Sequence, residues 1–214
     1  MPTATWFRLP LARRQAVLDA AEAEFGALGF SRGSLNVVAR NAGVSKGSLF
    51  QYFTDKADLC THLSEMVSQR IRAVMEQRIA QQPWSEDFFG ALRDTCCFWM
   101  AYFASHPAER ALASAINLER DPVTSTPIRA AVNAHYIAVF RPLLLAAQRD
   151  GQLEPDADVE VLLALLMLWL PHLAIAPSQP GLDAVLGLHS DDPGDAAKVV
   201  ERLIAALRTG FAPR

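Results

Sequence analysis

Apolar residues recur at three- and four-residue intervals along nearly the whole chain, and no segment shows the convincing period-two alternation of a half-buried strand. The pattern predicts an all-α fold. Val17, Leu18, Ala21, Phe25 and Leu28 share one face of a helix from Leu11 to Leu28 that stops at Gly29. Two short helices follow, Leu35 to Ala42 and Lys46 to about Tyr52, then a long one from Lys56 to about Gln81 that ends before Pro83. Further helices are expected near Ser85 to Ala104, Pro107 to Asn117, Pro127 to Arg149 and Asp158 to Leu170. The last should open with Asp192 as N-cap and Pro193 at the first helical position and run to about Gly210. The Pro/Gly-rich connection from Ala176 to Asp192 has room for one short helical turn at Leu182 to Leu188. No internal repeat is apparent.

The segment Ser34 to Leu59, SLNVVARNAGVSKGSLFQYFTDKADL, carries the most chemistry. Ser34 reads as an N-cap ahead of Leu35, Val38 and Ala39 at helical spacing, Gly43 supplies a site where positive φ costs little, and Ser45 is a second N-cap. Between them Val44 gives the turn an apolar anchor. At about 100° per residue, the following helix has three faces. Leu49 and Phe53 form one suited to packing, Ser48 and Tyr52 offer hydroxyls on a second, and Lys46, Gly47 and Phe50 make a third. Such a helix can pack on its neighbours, touch phosphates and still turn one side to base edges in the major groove. Asp55 then caps the next helix with Asp58 at its third position. Lys56, in the first turn, opposes the helix dipole, so its use lies outside the helix, on a backbone phosphate.

These residues, Ala42-Gly43-Val44-Ser45-Lys46-Gly47-Ser48-Leu49-Phe50-Gln51-Tyr52-Phe53 and then Lys56, resemble the DNA-binding domain of the tetracycline-repressor (TetR) family over about residues 11 to 60. The resemblance implies an N-terminal three-helix helix-turn-helix domain, residues 1–55, and a larger helical effector-binding and dimerisation domain, residues 56–214. It gives the base-reading places to Lys46, Gly47 and Phe50, and the phosphate places to Ser34, Ser48, Tyr52 and Lys56. Phe50 stands where the family usually has Tyr; a phenyl ring can meet a thymine methyl but donates no hydrogen bond, so base choice there should be softer. Gly43-Val44-Ser45-Lys46-Gly47 also matches the G-x-S-x-G nucleophile elbow, which requires a strand before its serine. The helical periodicity of Leu35 to Ala42 makes Ser45 a cap instead.

Charge refines this picture. The chain carries a net −3, yet residues 1 to 60 hold seven Lys/Arg against five acids. A mildly basic head on an acidic body suits DNA contact at one end and predicts salt-sensitive binding. Cys60, Cys96 and Cys97 have no zinc-like or redox spacing, and the adjacent pair cannot form an ordinary structural disulfide, so reduced thiols are expected. Five scattered histidines without carboxylate or cysteine at ligand spacing offer no metal site, and no cofactor is implied. No charged-then-apolar leader pattern opens the sequence, which points to the cytoplasm. The very apolar Val161 to Leu170 is shorter than the roughly 20 residues a bilayer span needs and is expected to be a buried helix.

That segment is hydrophobic all round, and Val199, Val200, Leu203, Ile204, Leu207 and Phe211 form a stripe on the last helix. In the family the last two long helices pair with their two-fold mates, so the resemblance implies a homodimer whose two heads meet an inverted-repeat operator on double-stranded DNA. A small-molecule effector site is implied in the body. Cys96, Trp99, Met100 and Phe103 on one helix, His135 and Tyr136 on another, and Trp169 are its candidates, since aromatics, a methionine and a few polar tips suit a mostly apolar ligand. An ordinary helical core uses the same residues, and for any one of them that reading is favoured. The expectation is a sequence-specific transcriptional regulator and not an enzyme, a repressor released by an apolar or amphipathic effector. The alternative is a constitutive DNA-binding dimer controlled by a protein partner, which would show no ligand-linked change in affinity.

Overall fold

The computed structural model describes residues 1–189 and 193–214, and among them every regular element is helical. The order is α1 (Ala4–Phe7), α2 (Leu11–Arg32), α3 (Leu35–Asn41), α4 (Lys46–Tyr52), α5 (Lys56–Ile79), α6 (Phe88–Ser105), α7 (Pro107–Leu118), α8 (Pro122–Arg149), α9 (Val159–Ile175) and α10 (Pro193–Phe211), with a short 3-10 turn, Ala176–Ser178, after α9. The expected cap Asp192 lies outside the described residues. The chain divides into two compact units: Met1–Arg70 with Pro107–Asn133, and Ile71–His106 with Ala134–Arg214.

In the first unit α2 packs along α7 and α3, and α3 against α4. Gly26 lets α2 and α7 come close, because a Cβ added there would lie 3.3 Å from the Ala111 Cβ. Val17, Ala21, Phe25, Phe30, Val38, Leu49, Phe53 and Leu112 are excluded from water and form the core that orients α4. In the second unit α6 packs against α9 and α10. The Asp87 carboxylate accepts from the Gly90 amide at 2.9 Å to cap α6, and Asp158 caps α9 through Glu160 and Val161, both at 3.1 Å.

Five features differ from the sequence reading. The break expected at Gly29 is present, with φ 75° and ψ 165°, but one further turn continues to Arg32. The sixth helix starts at Phe88 because Asp87, not Ser85, holds its free amides. The eighth begins at Pro122, where Asp121 accepts from Val123 and Thr124 and Pro122 takes the first helical position, so Pro127 falls inside the helix. The ninth runs through Pro171 to Ile175; the Trp99 indole N–H donates to the Leu170 carbonyl beside the proline at 2.7 Å. No helix forms at Leu182 to Leu188, because the Asp183 carboxylate captures the amides of Val185, Leu186 and Leu188 at 3.0, 2.8 and 2.7 Å. Those bonds, led by that of Leu186, lower its pKa to about 2.

The longer α9 changes one expectation: Val159–Ser178 and α8 are both long and apolar enough to cross a bilayer by length and composition. Half of the first window is nevertheless buried inside the fold. The α10 stripe packs partly inside its own unit. Val199, Val200, Ile204 and Leu207 are buried within the protomer, while Val161 and Leu168 of α9 are exposed.

Candidate nucleic-acid interface

α4 is a seven-residue helix, too short to hold its shape alone, and contacts from distant sequence fix both its ends. At the N-terminus Gly43 adopts φ 65°, and the Val44 amide returns to the Ala39 carbonyl at 2.9 Å, closing the turn after α3. Arg13 of α2 donates to the Gly43 carbonyl at 3.2 Å. The Ser45 hydroxyl accepts from the Ser48 amide at 3.0 Å, the cap expected from sequence, and shares a second hydrogen bond with the Ser48 hydroxyl at 2.8 Å.

At the C-terminus the last carbonyls of a helix have no partner of their own. Thr3 supplies them: its amide donates to the Tyr52 carbonyl at 2.9 Å and its hydroxyl to that of Gln51 at 2.6 Å. Trp6 of α1 anchors this arrangement. It is 1% exposed, with its ring 4.8 Å from Phe53, 5.9 Å from Tyr52 and edge-on to His62 at 5.6 Å. Sequence reasoning missed this brace; the available signals were Thr3, a cap-type residue after a proline, and the aromatic pair Trp6-Phe7 ahead of the first long helix.

Burial separates two of the three expected faces of α4, and Tyr52 sides with the buried one. Leu49 and Phe53 are both 2% exposed and face the core. Lys46, Gly47 and Phe50 lie on the exposed side, with Phe50 48% exposed. Ser48 is half-buried and engaged with Ser45, while the Tyr52 ring is buried against Trp6. Ser34 stands at the start of α3 but, contrary to expectation, its hydroxyl caps nothing, and α3 has no side-chain cap; the Ser34 amide donates to the Glu24 carboxylate at 2.8 Å. Asp55 caps α5 as expected, accepting from the Asp58 amide at 2.8 Å, and the Asp58 carboxylate in turn accepts from the Thr54 amide at 3.1 Å. Lys56 donates to the Ser31 carbonyl at 3.0 Å, with its ammonium 5.8 Å from the Phe25 ring centre.

His62 makes the region pH-sensitive. Burial lowers its pKa below the usual 6.5, against the opposing pull of Asp58; the amino group of Met1, Glu65 and Arg14 also act on it. Met1 and Asp58 form an ion pair beside it. A base whose pKa falls on folding makes stability complete above its unfolded value and erodes it as pH drops below about 6.5 toward the lower folded value. Urea midpoints taken between pH 7.5 and 5.5 should therefore fall with acidity, and His62→Gln should flatten that part of the curve.

The candidate effector residues all belong to the second unit. Cys96, Trp99, Met100 and Phe103 are buried along α6, Trp99 lies 4.8 Å from Phe103 and 5.8 Å edge-on from Tyr136, and its indole N–H is occupied by Leu170. Burial pushes the Tyr136 hydroxyl above its usual pKa. His135 and Trp169 are half-buried on α8 and α9. The Cys96 and Cys60 thiols, both pushed up to about 12 by burial, are poor nucleophiles. No cluster of three metal-ligating side chains occurs among the described residues.

A capped short helix presented on a packed three-helix support, with one exposed side, defines the class: a helix-turn-helix DNA-binding transcription regulator. Residues 17–63 match the family model described as "Bacterial regulatory proteins, tetR family". Over those residues the chain carries a TetR-family helix-turn-helix domain. It is similar to the Escherichia coli (strain K12) protein named "Probable acrEF/envCD operon repressor", with 23% identity over 166 residues, 73% of this chain and 71% of that one. It has the fold of a TetR-family regulator from Chloroflexus aurantiacus, at 23% identity and TM-score 0.64 with both chains fully covered. It also has the fold of FadR from Bacillus subtilis solved with stearoyl-CoA, at 15% identity and TM-score 0.68 over 92% of this chain and 98% of that one.

Proposed function

We propose that this chain is a cytoplasmic, homodimeric repressor that binds an inverted-repeat operator and is released by a small apolar or amphipathic effector. In this reading residues 1–55 form the DNA-binding head and residues 56–214 the effector-binding and dimerisation body. Lys46, Gly47 and Phe50 meet base edges, while Ser34, Ser48, Tyr52 and Lys56 meet phosphates. The observation that carries the reading is α4, fixed at both ends by Ser45 and Thr3 with Lys46, Gly47 and Phe50 left outward.

The dimer is supported by α9, where Val161 and Leu168 are 49% and 72% exposed on one face with Ala164 and Leu165 between them, an apolar stripe that water would otherwise cover. The repressor role is supported by the printed name of the Escherichia coli relative. An amphipathic effector is supported by the stearoyl-CoA bound to the Bacillus subtilis neighbour and by the Trp99, Phe103 and Tyr136 ring cluster. Effector and DNA then weaken each other reciprocally, through a body conformation that α5 carries to the head.

Selection of bound DNA from a random duplex library at moderate salt tests the reading. The expected result is an enriched inverted repeat with half-sites one helical turn, about 34–36 Å, or a multiple apart. Retention without enrichment would overturn base reading by α4.

A further inference from the structure

Among the described residues Glu119 is the one charged side chain that is buried, 7% exposed, and nothing in the DNA contact accounts for it. Its carboxylate gathers four donors: the Ser31 amide at 2.9 Å, the Ser31 hydroxyl at 2.6 Å, and the amides of Arg120 and Asp121 at 2.8 and 2.9 Å. Burial alone would raise its pKa, but the bonds from Ser31, Asp121 and Arg120 outweigh it and hold the carboxyl below its usual range, so it is ionised at neutral pH. Two of the four bonds pin one residue, Ser31, and the carbonyl of that residue accepts from the Lys56 ammonium at 3.0 Å. On the other side, the Glu119 carbonyl accepts from Arg129 of α8 at 2.9 Å.

We propose that Glu119 is a positioning residue for the DNA contact of Lys56, acting through Ser31. The proposal rests on the reading that Lys56 meets a phosphate. A lysine has a flexible four-carbon stem, and ordering it on binding costs conformational entropy. The Ser31 carbonyl takes one of its three donors and sets its direction before DNA arrives, leaving two for a phosphate oxygen. The carbonyl can do so only while Ser31 itself is held, and Glu119 holds it at both amide and hydroxyl. Since Asp121 caps α8 and Arg129 lies on it, a displacement of the start of α8 would reach Lys56 by the same bonds.

The test is the affinity of a labelled duplex of the selected sequence, across salt, for wild type, Lys56→Ala, Glu119→Gln, Ser31→Ala and each of the last two combined with Lys56→Ala. Lys56→Ala should weaken binding and reduce the salt slope by about one. Glu119→Gln and Ser31→Ala should each weaken binding about three- to tenfold, the cost of ordering one long side chain, and neither should weaken it further once Lys56 is alanine. Equal losses in both backgrounds, or wild-type affinity for both single variants, overturn the proposal and leave the Lys56 contact standing. Wild-type affinity and slope for Lys56→Ala overturn the contact and the proposal together. Thermal unfolding confirms which variants are folded; where Glu119→Gln is not, the Ser31 pair carries the same comparison, because Ser31 is exposed and loses only a hydroxyl.

Discussion

Trp6→Ala should destabilise the protein by about 3–5 kcal/mol, the usual cost of deleting a fully buried large aromatic side chain. Trp6 touches Tyr52, Phe53 and His62, and it is the only large side chain of α1 turned inward, since Phe7 is 55% exposed. Without the indole, nothing comparable holds Thr3 against the last carbonyls of α4. DNA affinity should therefore fall even at temperatures where the variant remains folded, and Trp6→Phe should recover much of both losses. Urea unfolding gives the first quantity and duplex binding the second. A midpoint equal to wild type would mean that the N-terminal segment is not docked on α4 in solution.

Gly33→Ala should cost about 1–3 kcal/mol by overpacking, although its backbone, at φ −61°, suits any residue. The new Cβ would lie 2.4 Å from Cδ1 and 2.8 Å from Cε1 of Phe25. That ring is fully buried, packs 5.6 Å from Phe30 and lies under the Lys56 ammonium, so it cannot yield without moving its neighbours. The expected signature is a lower denaturant midpoint at unchanged m-value, together with weaker DNA binding, because the displaced ring pushes on Lys56. Wild-type stability would show that the Phe25 pocket is looser than its packing implies.

What could be read in the sequence was what closes locally. Ser45, Gly43 and Asp55 act on partners three to five residues away, and each was legible as a cap or a turn. The brace and the buried carboxylate were not legible, because Thr3 meets Gln51 across 48 positions and Ser31 meets Glu119 across 88. Ser34 illustrates the middle case: its residue type suits a cap, but Glu24 on α2 takes up its amide and its hydroxyl caps nothing. In the body, periodicity identified the apolar stripe of α10 but could not say whether the protomer or its partner would cover it. Burial of Val199, Val200, Ile204 and Leu207 within the protomer shows that much of it was spent at home.

The docking of Thr3 and Met1 has a practical side for anyone handling the protein. An affinity tag joined next to this segment would anchor its passenger two residues from the backbone clamp on Gln51 and Tyr52 and crowd the contact of Met1 with Asp58. Tags for binding studies therefore belong away from this segment, on the unit that does not contain α4.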